Sequence, residues 1–297
     1  MNILIVANHY PVCSARYAAD AFKRLGHDVR HIGPDMGREI WGLTLPAEYA
    51  WKPDHHLAEY SELSRINPDL TIVMDSDPAI LDWAGKAPYF APPNIVWGVD
   101  NHVRRYEREC FDHYFLAHKG VSIQPYDDKT THLPCAYDPA WFTPSTIPFA
   151  EREYDVCCLG VMYPRRVELV DAMKAAGLKV IAGAGLVYSA YRDIHHNSRI
   201  ALCSSAAGDV AQRVFESAAM GSVVLTDECA DFKLLQPDGL AYYTSVQGAV
   251  DMATRLIHES EFAQICIERS RAWVMGHSWD ARADVIVKWW EANYGAS

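Results

Sequence analysis

The sequence predicts an α/β fold of two similar units in tandem, and three observations carry the prediction. Short apolar runs alternate with longer amphipathic ones, the pattern of parallel strands covered on both faces by helices. A stretch from Tyr137 through Pro139, Pro144 and Pro148 interrupts that rhythm with too many prolines to continue a strand or a helix. Beyond it the same rhythm restarts.

In the first half the strands are expected at Asn2–Ala7, Asp28–Ile32, Leu70–Met74, Asn94–Trp97 and His113–Leu116, with a helix from about Ala15 to Leu25. Gly26 ends that helix, where a left-handed cap is needed. In the second half strands are expected at Tyr154–Leu159, Leu178–Ala182, Arg199–Cys203 and Ser222–Thr226, with helices beginning near Arg165, Asp209 and Glu228. The last segment, Trp279–Tyr294, reads as a helix with Val285, Trp289 and Ala292 on one face. These boundaries give a first domain over 1–148, a second over 149–278 and a C-terminal helix over 279–297. Two such units in tandem imply a cleft between them.

A chain of 297 residues suffices for two cores, and 50% hydrophobic residues with 9 Trp and 16 Tyr supply the apolar material for them. The net charge of -11 argues against a general nucleic-acid binder, which needs an electropositive footprint. The eight cysteines form no C-x-x-C pair and read as reduced packing residues of a cytoplasmic protein. The opening Met1-Asn2-Ile3-Leu4-Ile5-Val6-Ala7 has no basic flank and is too short for a signal peptide or membrane span, so it reads as a first buried strand.

The stretch richest in chemistry is Gly208-Asp209-Val210-Ala211-Gln212-Arg213-Val214-Phe215-Glu216-Ser217-Ala218-Ala219-Met220-Gly221, followed by an apolar strand. If Asp209 starts a helix, its side chain caps the first N–H groups, and Asp209, Arg213 and Glu216 share one face opposite Val210, Val214 and Ala218. The helix N-terminus and Arg213 then suit a diphosphate, and the Glu216 carboxylate can accept from ribose hydroxyls. The same spacing also describes a surface helix with an Arg213–Glu216 ion pair, and spacing alone leaves both readings open.

The segment Arg213-Val214-Phe215-Glu216-Ser217-Ala218-Ala219-Met220-Gly221 with Leu225-Thr226-Asp227 resembles the second half of family 4 type glycosyltransferases, and most closely their CgeB-like (spore maturation protein) group. The resemblance extends over residues 150–297, through Asp155–Gly160 with Arg165, Asn197–Leu202, and His277–Arg282. It implies the GT-B architecture: two facing Rossmann-like domains with the C-terminal helix crossing back to the first. It implies transfer of a sugar, with retention, from a nucleoside diphosphate sugar to an acceptor hydroxyl. A UDP-sugar is the expected donor substrate, and no permanently bound cofactor or metal is expected. By the same resemblance Glu216 holds the donor ribose, and Arg165 or Arg166, beyond the strand ending at Gly160, the donor phosphates. One departure stands out: the broader superfamily often has two glutamates with seven residues between them, and the earlier position here is Gly208.

In the first half, the loop after the first strand carries His9, Tyr10 and Ser14 at the carboxyl end of a parallel sheet, where open α/β sheets bind ligands. It lacks G-x-G-x-x-G, which counts against a dinucleotide-dependent dehydrogenase. Asp75 and Asp77 follow the third strand, and Asp100 and His102 the fourth, so both clusters are expected on that rim. His102 with Asp100 is the candidate acid–base pair, and a capping or core role for the histidine stays open. The three aspartates are read as turn caps rather than a metal site, and the pairs His55-His56 and His195-His196 lack zinc-motif spacing. The acceptor stays open among a polysaccharide, a protein, a small molecule and a modified DNA base. A nucleotide-sugar epimerase and a non-catalytic nucleotide-sugar-binding protein are the rival functions.

Overall fold

The computed structural model describes residues 1–35, 37, 39–40, 43–54, 67–74, 93–100 and 111–295, and it divides into two compact units. The first joins Met1–Pro134 to Trp279–Ser297, and the second is Cys135–Ser278. Asp75, Asp77, His102, the His55-His56 pair and Cys110 lie outside the described residues.

The sheet of the first unit is built from β1 (Asn2–Val6), β2 (Asp28–Ile32), β5 (Leu70–Val73), β6 (Asn94–Gly98), β7 (His113–Leu116) and β8 (Thr130–His132), in the order β2-β1-β5-β6-β7-β8 and parallel throughout. A separate antiparallel pair joins β3 (Glu39–Ile40) to β4 (Leu43–Thr44). Ile3, Leu4, Ile5 and Val6 are all buried, as a continuous apolar run requires when both faces of a strand are covered. Helix α1 (Ser14–Arg24) buries Ala15, Tyr17, Ala18, Ala19, Ala21 and Phe22, and places Lys23 and Arg24 in its last turn, where the helix dipole favours cations.

The last helix, Trp279–Tyr294, completes this first unit. Trp279 is fully buried, its ring 5.2 Å from that of Trp97 and 6.2 Å from that of Tyr17. Arg24 pairs with Asp280 at 2.6 Å, Arg282 Nε donates to the Pro134 carbonyl at 2.9 Å, and Trp290 Nε1 donates to the Asp69 carbonyl at 2.9 Å. Its buried face runs through Trp279, Arg282, Ala283, Ile286 and Val287, whereas Val285 and Ala292 are exposed. Of the expected row only Trp289 packs inward, against His113 and Phe115.

The second unit has β9 (Tyr154–Leu159), β10 (Val180–Gly183), β11 (Ser198–Leu202), β12 (Val223–Asp227) and β13 (Ala241–Tyr243), parallel in the order β10-β9-β11-β12-β13. Its helices are α2 (Pro164–Ala175), α3 (Tyr188–His196), α4 (Gln212–Met220), α5 (Phe232–Leu235), α6 (Val246–His258) and α7 (Ser260–Val274), which makes Trp279–Tyr294 α8. Val156, Cys158, Ile200, Leu202, Val223 and Leu225 from the strands meet Leu169, Met173, Ala253, Leu256 and Ile267 from the helices in one core.

The division between units falls after Pro134, upstream of the linker expected near residue 148. Backbone groups fasten the proline stretch to the second unit. Tyr137 N–H donates to the His277 carbonyl, and Ser145 N–H to the Met220 carbonyl. The buried Arg152 guanidinium donates to the carbonyls of Ile147, Ser198 and Gly221 at 3.2, 3.1 and 2.7 Å. Among the described residues no helix is long and apolar enough to cross a membrane.

Candidate functional site

The order β10-β9-β11 fixes where a ligand site forms in the second unit. From β9 the chain moves to one side through α2 into β10, then crosses to β11 on the other side, so the loops leaving β9 and β11 diverge. Such a switch point leaves a crevice at the carboxyl edge of the sheet. Helices α2 and α4 begin at that edge, so both direct their positive N-terminal ends toward it.

Two arginines span the crevice. Arg213 Nη1 donates to the Leu159 carbonyl at 2.9 Å. Its guanidinium lies against Gly160, where a Cβ would come within 3.0 Å of Nη2 and 3.4 Å of Cζ, and where φ is +114°. Gly160 is therefore glycine for close approach as well as for backbone conformation. Arg166, 3% exposed, donates from Nε and Nη2 to the Ser204 carbonyl at 3.1 and 2.8 Å, and from Nη1 to the Val161 carbonyl at 2.7 Å. It ties the loop after β9 to the loop after β11. Burial, and then the neighbouring Arg213, lower its pKa. Two guanidiniums close enough for one to disfavour the charge of the other give the crevice a positive potential that suits an anion. Arg165, by contrast, is exposed and pairs with Glu168 at 3.0 Å.

Glu216 is 7% exposed on α4. Its Oε1 accepts from Gln212 Nε2 at 2.7 Å and its Oε2 from Tyr191 Oη at 3.0 Å. Burial pushes its pKa up, while the two hydrogen bonds and Arg213 pull it back. Tyr191 is carried by α3, against the rings of His195 and Phe142.

The expected helix start at Asp209 is corrected: α4 begins at Gln212, after an extended Ala211, and no side chain caps it. Asp209 instead closes the preceding loop, its Oδ1 accepting from Ser205 Oγ at 2.8 Å and from Ala207 N–H at 3.2 Å. Asp209, Arg213 and Glu216 therefore do not form one helical row. Nor is α4 a surface helix, since every residue from Val214 to Met220 is buried. Among the described residues Arg213 makes no ion pair with Glu216. At the position of the absent first glutamate, Gly208 adopts φ +77°, a left-handed conformation that a glutamate side chain disfavours.

In the first unit, His9 follows β1 but points inward. It is fully buried, its ring 4.3 Å from that of Trp51 and 5.2 Å from that of His31. Burial, then His31, lowers its pKa to about 4. Tyr10 and Ser14 are half-buried at the same edge, and Asp100 is exposed just beyond β6. Tyr191 and Gln212 were not among the residues to which the sequence pointed. Gln212 was legible as the residue one helical turn before Glu216, whereas Tyr191 required recognising α3, whose residues from Tyr188 to His196 are more polar than apolar and bury only Tyr188 and His195. No cluster of three His, Cys, Asp or Glu positioned for a metal occurs among the described residues.

Residues 146–288 match a family model described as glycosyl transferase-like. No curated protein sequence matches the chain. Among solved structures it is similar to sucrose-phosphate synthase from Thermosynechococcus elongatus, at 11% identity and TM-score 0.70 over 100% of both chains. It is also similar to Anabaena HepE in complex with UDP, at 11% identity and TM-score 0.71 over 98% of this chain and 100% of that one. A third similarity is to UDP-GlcNAc 2-epimerase from Neisseria meningitidis bound to UDP-GlcNAc, at 13% identity and TM-score 0.59 over 99% and 100%. The fold is GT-B. In GT-B terms the crevice beside Gly160 belongs to the C-terminal Rossmann-like unit, and the matched family segment runs through all of its strands.

Proposed function

We propose that this chain is a glycosyltransferase that binds a nucleoside diphosphate sugar at the crevice of its second unit and passes the sugar to an acceptor hydroxyl with retention. The observation that carries the reading is the Arg213 guanidinium held against Gly160 at the switch point, three residues before the buried Glu216. Arg213, with the N-terminal ends of α2 and α4, neutralises the diphosphate as the anomeric C–O bond breaks. Glu216 accepts from the donor ribose hydroxyls. Arg166 acts by holding the two loops in register, and Arg165, on the exposed side of α2, reaches the phosphates only by leaving Glu168. Asp209 shapes the loop between Ser205 and α4. On the first unit, Asp100 and His102 are the groups proposed to take the acceptor proton, and Tyr10 and Ser14, together with Asp75 and Asp77, to receive the acceptor, while the buried His9 holds their loop from beneath.

The segment from Arg213 to Gly221 with Leu225-Thr226-Asp227 supports the CgeB-like group. Cys157, Cys158, Cys203, Cys229 and Cys266, free thiols buried in the second unit, support the reducing cytoplasm. A UDP-sugar is the proposed donor, supported by the solved GT-B structures that hold UDP or UDP-glucose.

The test is thermal unfolding against UDP-, GDP-, ADP- and dTDP-sugars, in the wild type and in Glu216→Ala. A ligand that binds only the native state raises the midpoint by mass action, and the wild type is expected to respond to at least one donor. Glu216→Ala is expected to lose that response with its apo fold intact; equal donor stabilisation in the variant would remove the proposal. Gly208 at the place of the first glutamate favours a second reading, donor binding without transfer. Donor incubation with an acceptor panel, and with no acceptor, distinguishes the three outcomes: a glycosylated product, an epimerised donor, or unchanged donor.

A further inference from the structure

We infer that Tyr191 and Gln212 are a positioning pair that fixes the Glu216 carboxylate from two directions, one hydrogen bond to each oxygen, so that it is presented ionised and immobile to a ligand. The inference rests on the donor-site reading of Glu216 given above. The geometry is specific. Tyr191 reaches Oε2 from α3 at 3.0 Å, and Gln212 reaches Oε1 from the preceding turn of α4 at 2.7 Å. A carboxylate offers about four acceptor directions, so two remain open after both contacts.

A buried carboxylate with no such partners takes a proton and becomes a poor acceptor. Among the described residues, the groups around the Glu216–Tyr191 pair are Arg213 on the helix of Glu216, Cys157 on β9 and Cys203 beyond β11, with His195 of α3 against the Tyr191 ring. Of these only Arg213 carries a charge at neutral pH. Burial holds the imidazole of His195 neutral, its pKa lowered to about 3, and burial raises the thiols of Cys157 and Cys203. Tyr191 is half-buried, with its phenol desolvated beside the carboxylate, and both effects keep that phenol protonated and able to donate. The ionised state of Glu216 thus depends on Arg213 and on the two donated hydrogen bonds.

The sign follows. Because burial raises the Glu216 pKa, ligand affinity that needs the carboxylate is present above that pKa and is lost as pH falls through it. Removing a hydrogen bond to the charged form raises the pKa further, so the acid limb of binding moves to higher pH.

The experiment is calorimetric titration of the whole protein with UDP, GDP and ADP between pH 5 and 8.5, in the wild type, Tyr191→Phe, Gln212→Leu and Glu216→Ala. Each positioning variant is expected to shift the acid limb upward by about one pH unit while the affinity above the limb falls a few-fold. Glu216→Ala is expected to bind at least tenfold more weakly and to have no limb. If Tyr191→Phe does not fold, Gln212→Leu reads the other oxygen in the same way. Folded positioning variants whose limb coincides with that of the wild type overturn the inference and leave the donor-site reading standing. Wild-type affinity in Glu216→Ala, or no binding of any nucleotide by the wild type, overturns the donor-site reading and this inference with it.

Discussion

Gly160→Ala puts one methyl group where the crevice has no room for it. The substitution acts twice. The backbone at φ +114° is one that a residue with a Cβ adopts at a cost of about 2 kcal/mol. The new Cβ also meets the Arg213 guanidinium at 3.0 Å, which pushes it off the Leu159 carbonyl. Gly177→Ala is the matched control, because Gly177 has φ +85° with nothing within 4 Å of its Cβ position. Both variants carry backbone strain, and only one disturbs the site. For a unit of this size a loss of about 2 kcal/mol lowers the unfolding midpoint by roughly 4–8 °C, so both apo proteins should unfold earlier by that amount. Their response to donor should differ: Gly177→Ala keeps the full stabilisation given by the best nucleoside diphosphate sugar, and Gly160→Ala loses most of it. Differential scanning fluorimetry with and without ligand reads both quantities. Equal donor responses in the two variants would refute the assignment of Arg213 to the diphosphate.

Acid should weaken the first unit through His9. Its folded pKa of about 4 lies below the ordinary value of 6.5, so the unfolded chain binds the extra proton between those values, and stability present above pH 6.5 is lost as pH falls toward 4. The full effect is roughly 3 kcal/mol, at about 1.4 kcal/mol per pH unit. His9→Phe keeps the packing on Trp51 and removes the titration. Unfolding monitored by tryptophan fluorescence from pH 7 to 4.5 should therefore give it the shallower slope, and coincident slopes would show that His9 is not held neutral. Arg152→Met removes the guanidinium bonds to the buried Ser198 and Gly221 carbonyls and to the half-buried Ile147 carbonyl, and should destabilise the second unit by about 3 kcal/mol in urea unfolding. Arg152→Lys should recover only part of that, since one ammonium does not span Ile147, Ser198 and Gly221; full recovery would mean that the charge alone matters.

The parallel strands were legible in the sequence because burial on both faces writes itself as an unbroken apolar run. Asn2–Val6, Asn94–Gly98 and Tyr154–Leu159 contain such runs, whereas Asp28–Ile32 was legible by alternation, with Val29 buried between exposed Asp28 and Arg30. Elements with neither pattern were not legible. β8 is Thr130-Thr131-His132 at a sheet edge with every residue half-buried, and α3 carries more polar than apolar residues. At the site, Arg213 and Glu216 stood out by residue type and spacing, but their arrangement did not. An i, i+4, i+7 row presumes a helix running from Asp209, and the left-handed Gly208 with the extended Ala211 delays it to Gln212. Arg213 donates to a main-chain carbonyl at the end of β9, and one of the two partners of Glu216 is a tyrosine on another helix. Neither contact leaves a local trace in sequence.

The placement of α8 bears on how the protein is made. Residues 135–278 form a contiguous unit, so a nascent chain can fold it as soon as it has emerged. The first unit is synthesised earlier yet waits longer, because Trp279 fills the space between Tyr17 and Trp97, and Arg282 holds the Pro134 carbonyl. Until the last helix leaves the ribosome, Trp97, His113 and Phe115 on the sheet lack the rings of Trp279 and Trp289 that pack on them. The segment begun first is thus completed last, and the interval in between is when a chaperone has most to shield.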